Sequence, residues 1–187
     1  MPVQLNGPVG HDFSQPLGLL SDCHRRIEQF LGVLARVVER FGGKPLTDEG
    51  YQALVVARQY FEHAAPKHTA DEEESLFPRM RAAAAAKGED CSALDQLEAD
   101  HDAADALLDR VIEVLDEWMT TRRALSERET SALRDDLDNL IRLYTAHIRI
   151  EDRDIFPLAA RLLSEEAIRC VGEEMRNRRG LSHQSHM

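Results

Sequence analysis

Two histidine–glutamate pairs with identical spacing stand out as the residues most able to do chemistry. His68 is followed four residues later by Glu72, and His147 is followed four residues later by Glu151. On an α-helix, residues four apart lie on one face, one turn from each other. Imidazole nitrogens and carboxylate oxygens together suit iron, manganese or zinc. A single pair of this kind is common on helix surfaces, so neither pair alone identifies a metal site.

The segments around the two pairs are copies of one pattern. HTADEEESLFP, residues 68–78, aligns with HIRIEDRDIFP, residues 147–157, at an offset of 79. Two further histidines, His24 and His101, occupy matching positions at an offset of 77. Internal similarity at a fixed offset indicates a repeated structural unit. We therefore interpret the chain as two copies of a helical hairpin.

Helix-start and helix-stop residues predict four long helices and one short one. Pro16 begins a helix that ends at Phe41, before Gly42 and Gly43. Thr47 is the predicted N-cap of the second helix, which ends before Gly88. The remaining signals are Ser92 as the cap of a third helix reaching about Met119, a Ser126–Glu129 capping box for the fourth, and Ser164 and Gly180 around the fifth.

Apolar residues recur at steps of three and four along each long helix, which predicts one buried seam per helix. His24 and His101 lie in the first and third seams, and the two pairs lie in the second and fourth. Four such helices with short loops predict an all-α, antiparallel, up-down four-helix bundle. The expected organisation is an arm (1–14), the bundle (15–163), a C-terminal helix (164–180) and a flexible tail (181–187).

The polar seam residues are expected to meet at one height. His24 lies 17 residues before Phe41, and His101 lies 17 residues before Trp118. At about 1.5 Å per residue, all four histidines fall within roughly 5 Å of one level. Buried carboxylates and imidazoles cost several kcal/mol unless they are partnered, so a cation is expected among them. The predicted metal ligands are His24, His68, Glu72, His101, His147 and Glu151.

The ligand count favours two ions, with iron expected and manganese or zinc as alternatives. If both glutamates bridge, the protein fills about eight of about twelve positions around two octahedral ions. A bridging oxygen group takes two more, which leaves about two positions open. Such a centre is expected to be reactive rather than structural.

The order H, HxxxE, H, HxxxE resembles the hemerythrin-like family, also called the HHE cation-binding domain, from Leu17 to Leu163. The LFP-like and IFP-like endings after both pairs, at Glu73 to Pro78 and Asp152 to Pro157, strengthen the resemblance. The resemblance implies a non-haem di-iron site whose ligand is O2, peroxide or nitric oxide. Alternative functions are peroxide disproportionation or an oxidase reaction, iron handling or iron–sulfur cluster repair, and a metal-free interaction bundle.

The sequence departs from the oxygen-carrying members of that family in two places. Those proteins have a second histidine one turn after the third-helix ligand, where this chain has Asp105. They also use an aspartate five residues after the fourth-helix histidine, which is Asp152 here, but Glu151 matches Glu72 in the repeat and is favoured as the ligand. Asp105, Tyr144 and Asp152 are expected near the metals without binding them. The missing histidine weakens the oxygen-carrier interpretation and favours reaction with peroxide.

Several polar residues are interpreted without a functional role. His63 is expected to face outward, because it lies about 140° around the helix from His68. Glu73 and Glu74 are interpreted as solvated surface charges. Pro66 is expected to bend the second helix, and Pro78 and Pro157 to end or kink their helices. The basic residues Arg176, Arg178 and Arg179 are interpreted as a solvated helix end.

Composition excludes several classes of partner. The formal net charge is −11, and no basic stripe is present, so nucleic acid and anionic membrane are not expected partners. The sequence has no apolar run of about 18 residues, so no membrane span is expected. The N-terminus does not resemble a secretory signal. Cys23, Cys91 and Cys170 show no CxxC spacing and are expected to be reduced thiols. A cytoplasmic location is therefore expected.

Overall fold

The computed structural model describes residues 10–181, and all regular structure within them is helical. Two π-helical segments, Asp71–Leu76 and Glu151–Ile155, interrupt the α-helices. The α-helices are α1 Pro16–Phe41, α2 Asp48–His63, α3 Ala65–Ala70, α4 Phe77–Lys87, α5 Ala93–Thr121, α6 Glu127–Ile150, α7 Phe156–Leu162 and α8 Glu165–Arg178. The start of the expected N-terminal arm and all but the first residue of the expected tail lie outside the described residues.

These helices form four long arms of a bundle, as predicted. The first and third arms are α1 and α5. The second arm, residues 48–87, runs from α2 through the first π-helical segment to α4, and the fourth arm, residues 127–162, runs from α6 to α7. α8 packs against α1 and the first π-helical segment. None of the described helices is long and apolar enough to cross a membrane.

Three of the predicted helix starts are confirmed by their hydrogen bonds. The hydroxyl of Thr47 accepts from the backbone N–H of Gly50 at 3.3 Å. Ser126 and Glu129 form a reciprocal capping box at the start of α6. The side chain of Ser164 caps α8 in the same way as Thr47 caps α2. Each of these bonds satisfies a backbone donor that the helix itself leaves unpaired.

Ser92 lies at the predicted start of the third helix but does not cap it with its side chain. Ser92 precedes α5, but its backbone is already helical and its side chain makes no capping bond. The hydroxyl of Ser92 instead donates to Asp90 at 3.0 Å. α5 also continues to Thr121, two residues beyond the predicted end at Met119.

The two hairpin loops bond to each other at one end of the bundle. The backbone N–H of Leu46 donates to the carbonyl of Arg122 at 3.0 Å. In return, the N–H of Leu125 donates to the carbonyl of Gly42 at 2.9 Å. This reciprocal pair fixes the height of one hairpin relative to the other, and so fixes the level at which their polar seam residues meet.

The apolar core is divided into two clusters. The larger extends from Ile27 and Ile148 to the paired hairpin loops. The smaller joins α1, the π-helical segments, α4, α5 and α7 to α8, and includes Leu20, Leu97 and Met175. The polar seam residues lie between these clusters, with apolar layers on both sides.

One of the three prolines coincides with a helix break, and the other two lie just after the π-helical segments. Pro66 coincides with a break at Ala64 between α2 and α3, as predicted. Pro78 and Pro157, however, do not end their arms. Proline has no N–H and crowds the carbonyl four residues earlier, and here a wider π-helical turn precedes each proline and lets the helix continue.

α8 is held to the bundle by a buried carboxylate, which corrects the interpretation of its arginines as solvated. Asp71 is fully buried in the first π-helical segment. Arg178 pairs with one of its oxygens, and Arg179 pairs with the other at 2.7 Å. Arg178 also reaches Glu74 at 3.0 Å. The end of α8 therefore neutralises a buried charge beside Glu72.

Replacing both arginines with alanine is expected to lower the free energy of unfolding by about 3 kcal/mol, because Asp71 would stay buried without a partner. Chemical denaturation of the metal-free protein measures this. Arg169→Ala on the exposed face of α8 is the control and should change stability by less than about 0.5 kcal/mol. Equal losses in the control and the double variant would contradict a special role for Asp71.

Candidate metal centre

The structure brings all six predicted ligands together at the bundle axis. They form two groups of four, and within each group one donor atom per residue lies within 4.8 Å of the others. Both groups contain Glu72 and Glu151. The groups differ only in their histidines, which are His24 and His68 in the first and His101 and His147 in the second.

The donor atoms of the six residues point at one another across short distances. Nε2 of His24 lies 3.0 Å from Oε2 of Glu151, and Nε2 of His147 lies 3.1 Å from the same oxygen. Nε2 of His68 and Nε2 of His101 each lie 3.5 Å from Oε2 of Glu72. Each glutamate therefore faces both histidine pairs.

These donors fit a metal because most of them have no hydrogen-bond partner in the protein. All six residues are at most 5% exposed. Both carboxylate oxygens of Glu72 and both of Glu151 are buried without a hydrogen bond, as are Nε2 of His24, His101 and His147. Buried polar atoms are nearly always paired, so a set of convergent unpaired donors calls for a cation.

The π-helical segments position the two glutamates. In each segment a backbone bond spans five residues, from Phe77 N–H to the Glu72 carbonyl and from Phe156 N–H to the Glu151 carbonyl. The two phenylalanines then stack on histidines. The Phe156 ring lies 5.4 Å from the His24 ring, and the Phe77 ring lies 6.4 Å from the His101 ring.

The outer nitrogens of His24 and His101 are held by carboxylates from the opposite hairpin. Nδ1 of His24 lies 2.9 Å from Asp152, which also accepts from Ser21 at 2.8 Å. Nδ1 of His101 lies 2.7 Å from Glu73. Asp152 thus lies beside the donors without joining either group, where it was expected. The interpretation of Glu73 as a solvated charge is wrong.

The electrostatics of the cluster favour protonated His24 and His101 beside an ionised Glu72. Burial opposes protonation of His24, but the neighbouring carboxylates of Asp152, Glu151 and Glu72 outweigh it and raise the His24 pKa to about 11. The same balance raises the pKa of His101 to about 9. Burial acts against ionisation of Glu72, yet the surrounding histidines hold its pKa below the usual range. Burial lowers the pKa of His68.

The remaining residues singled out in the sequence lie outside the donor groups. The His63 side chain is 69% exposed on the outer face of α2, as predicted. Asp105 is exposed one turn beyond His101 and makes no hydrogen bond or ion pair to the six donors. Tyr144 is buried one turn before His147, and burial together with the neighbouring Asp105 raises the pKa of its phenol.

Sequence reasoning missed Glu73, although the repeat contained the signal for it. Glu73 aligns with Asp152 at the offset of 79, immediately after the paired Glu72 and Glu151. An acid that recurs in both copies of the repeat, next to a predicted ligand each time, indicates a shared role in the site. Asp100, 3.6 Å from Nδ1 of His147, was missed as well.

Comparison with known proteins agrees with this geometry. The model of the hemerythrin HHE cation-binding domain matches residues 15–159 of the chain. A protein of Haemophilus influenzae described as uncharacterized is 24% identical over 170 residues, which span 89% of this chain and 91% of that protein.

Removing the outer carboxylates is expected to weaken metal binding without removing a donor from either group. Glu73→Ala and Asp152→Ala should each lower the affinity for a divalent ion by about 10- to 100-fold, because the histidine loses the partner that orients its ring. Competition against a chelator measures the change. Asp102→Ala, on the exposed face of α5 beside His101, is the control. An equal loss in that variant would mean that charge alone, rather than orientation, is responsible.

Metal binding is expected to release protons at neutral pH. With pKa values of about 11 and about 9, His24 and His101 are both protonated at pH 7 in the metal-free protein. A metal must displace both protons, so release of about two protons is expected at pH 7, falling as pH rises through 9. The affinity for the metal should increase as the pH is raised over the same interval. Calorimetry in buffers of different ionisation enthalpy counts the protons, and a release near zero at pH 7 would contradict the described charge state.

Proposed function

The chain belongs to the hemerythrin HHE cation-binding domain family, and we propose that it is a non-haem di-iron protein that binds, senses or removes O2, peroxide or nitric oxide. The observation that carries this proposal is the pair of four-donor groups that share Glu72 and Glu151. Two groups with two shared carboxylates match the needs of two neighbouring ions. Iron is proposed over manganese or zinc because the family favours it, while the mixed imidazole–carboxylate donors suit all three metals.

In this proposal, each histidine pair holds one ion. His24 and His68 would hold the first ion, His101 and His147 would hold the second, and Glu72 and Glu151 would contribute to both. Two irons bound there would supply electrons for chemistry with O2, peroxide or nitric oxide. Each ion receives four protein donors, which is fewer than the six of an octahedral site, so positions remain for a small exogenous ligand.

The surroundings of the cluster favour small, uncharged ligands. Phe77 and Phe156 cover it from one side, and the larger apolar cluster begins on the other side at Ile27 and Ile148. Tyr144, buried one turn before His147, provides a protonated phenol near the glutamates. The six donors are buried by these residues, which keeps bulk water away from them and favours small, uncharged ligands.

The first test is metal content. About two irons per chain are expected after iron-replete expression, together with visible absorption from the centre. His68→Ala and His147→Ala should lose metal and absorption, because each removes one nitrogen donor. His63→Ala is the matched control and should retain both, since its imidazole faces solvent. One zinc and no iron in the wild type would contradict the di-iron proposal, and equal losses in all three variants would contradict the assigned donors.

A second candidate function is disproportionation of peroxide. The residue after His101 by one turn favours peroxide disproportionation. It is the exposed Asp105 and not a fifth histidine, so both ions would keep an open position. Asp105→His is expected to slow peroxide consumption and to lengthen retention of O2. Asp102→His provides the control for an added imidazole on the same helix. Unchanged kinetics in Asp105→His would exclude this position from any influence on the centre.

A further inference from the structure

We propose that the two metal positions are unequal, that the position between His101 and His147 binds its ion more tightly, and that Cys23 is a cause of the difference. This inference rests on the proposed function, because it concerns the same two ions. It follows from the surroundings of Nδ1 in each of the four histidines. This outer nitrogen is the one that would not contact an ion.

Both histidines of the tighter position have a carboxylate at the outer nitrogen. Glu73 lies 2.7 Å from Nδ1 of His101. Nδ1 of His147 makes no hydrogen bond, but Asp100 lies 3.6 Å from it, within ion-pair distance, whereas no such carboxylate pairs with Nδ1 of His68. Asp100 is largely buried, at 18% exposure, so it is confined to this neighbourhood.

At the position between His24 and His68, only one histidine has a carboxylate at its outer nitrogen. Asp152 lies 2.9 Å from Nδ1 of His24. Nδ1 of His68 is buried and has no hydrogen-bond partner. Within residues 10–181, no carboxylate forms an ion pair with this nitrogen, and the single ion pair of His68 is made by Nε2 with Glu72. His68 is therefore the least supported of the four imidazoles.

The repeat explains why His68 has no partner. Asp100 immediately precedes His101, and the matching residue before His24 is Cys23. Cys23 is buried and faces the junction of α2 and α3: the hydroxyl of Tyr60 donates to its carbonyl at 3.4 Å, and Cys23, Ala64 and Lys67 line one cavity of about 490 Å³. A thiol is only a weak acceptor, so it does not replace the carboxylate of Asp100.

An outer carboxylate fixes the tautomer and the ring orientation of a metal-binding histidine, and its loss typically costs 10- to 100-fold in affinity. His68 lacks this support, so its ring is restrained only by packing, including an edge contact with the His24 ring at 4.9 Å. The ion bound by His24 and His68 is therefore the weaker and the first to be lost.

Titration of the metal-free, full-length protein with Co²⁺, followed by visible absorption, tests this inference. The wild type should bind two ions in two steps, with affinities separated by about 10-fold or more. Cys23→Asp should strengthen the second step by about 10-fold, because it introduces the carboxylate that His68 lacks. Asp100→Asn should weaken the first step. Cys170→Asp adds the same charge on α8, away from the centre, and should leave both steps unchanged.

The outcomes distinguish a failure of this inference from a failure of the two-metal proposal. Two ions of equal affinity in the wild type, or an unchanged second step in Cys23→Asp, would overturn the inference and leave the two-metal proposal standing. Binding of no Co²⁺ by the wild type would overturn both. If Cys23→Asp does not fold, Asp100→Asn decides, since an unchanged first step in that variant also contradicts the inference.

Discussion

Two glutamates buried at the bundle axis without a hydrogen bond impose the main constraint on this protein. Four unpaired carboxylate oxygens in an apolar interior cost several kcal/mol unless cations neutralise them. The surrounding histidines partly do so as imidazolium ions, which is why the pKa of His24 and that of His101 are raised. Two metal ions would meet the same need more completely and would release the protons. The buried polar layer thus lowers the stability of the metal-free bundle and provides the donors that could bind metal.

The two hairpins are interdependent around this layer. Glu73 of the first hairpin holds His101 of the second, and Asp152 of the second holds His24 of the first. The stacking of Phe77 and Phe156 follows the same crossed pattern. Neither hairpin therefore contains a complete site. The paired loops at the far end of the bundle keep the two halves at matching heights, and α8 clamps the π-helical segment that carries Glu72.

The sequence predicted the bundle and the convergence of the six donors because both depend on periodicity. Seam spacing locates residues on a helix face, and the repeat offsets of 77 and 79 relate the faces to one another. Contacts between elements far apart in sequence were missed, as with Glu73 and His101 or Asp71 and Arg178, since helix periodicity carries no information about which side chains meet across an interface. The π-helical turns were missed for a related reason: a proline is compatible with an end, a kink or a widened turn, and tertiary packing selects among them.

X-ray absorption spectroscopy at the iron edge tests most directly whether Glu72 and Glu151 together bridge two irons. Bridged ions in two-metal sites lie about 3.5–4 Å apart. The iron-loaded protein is expected to show iron–iron scattering at about 3.5 Å, with nitrogen and oxygen neighbours and no sulfur. A Glu72→Gln, Glu151→Gln double variant should lose that scattering. Stoichiometric iron in the wild type with no iron–iron scattering within about 4 Å would contradict the bridged centre.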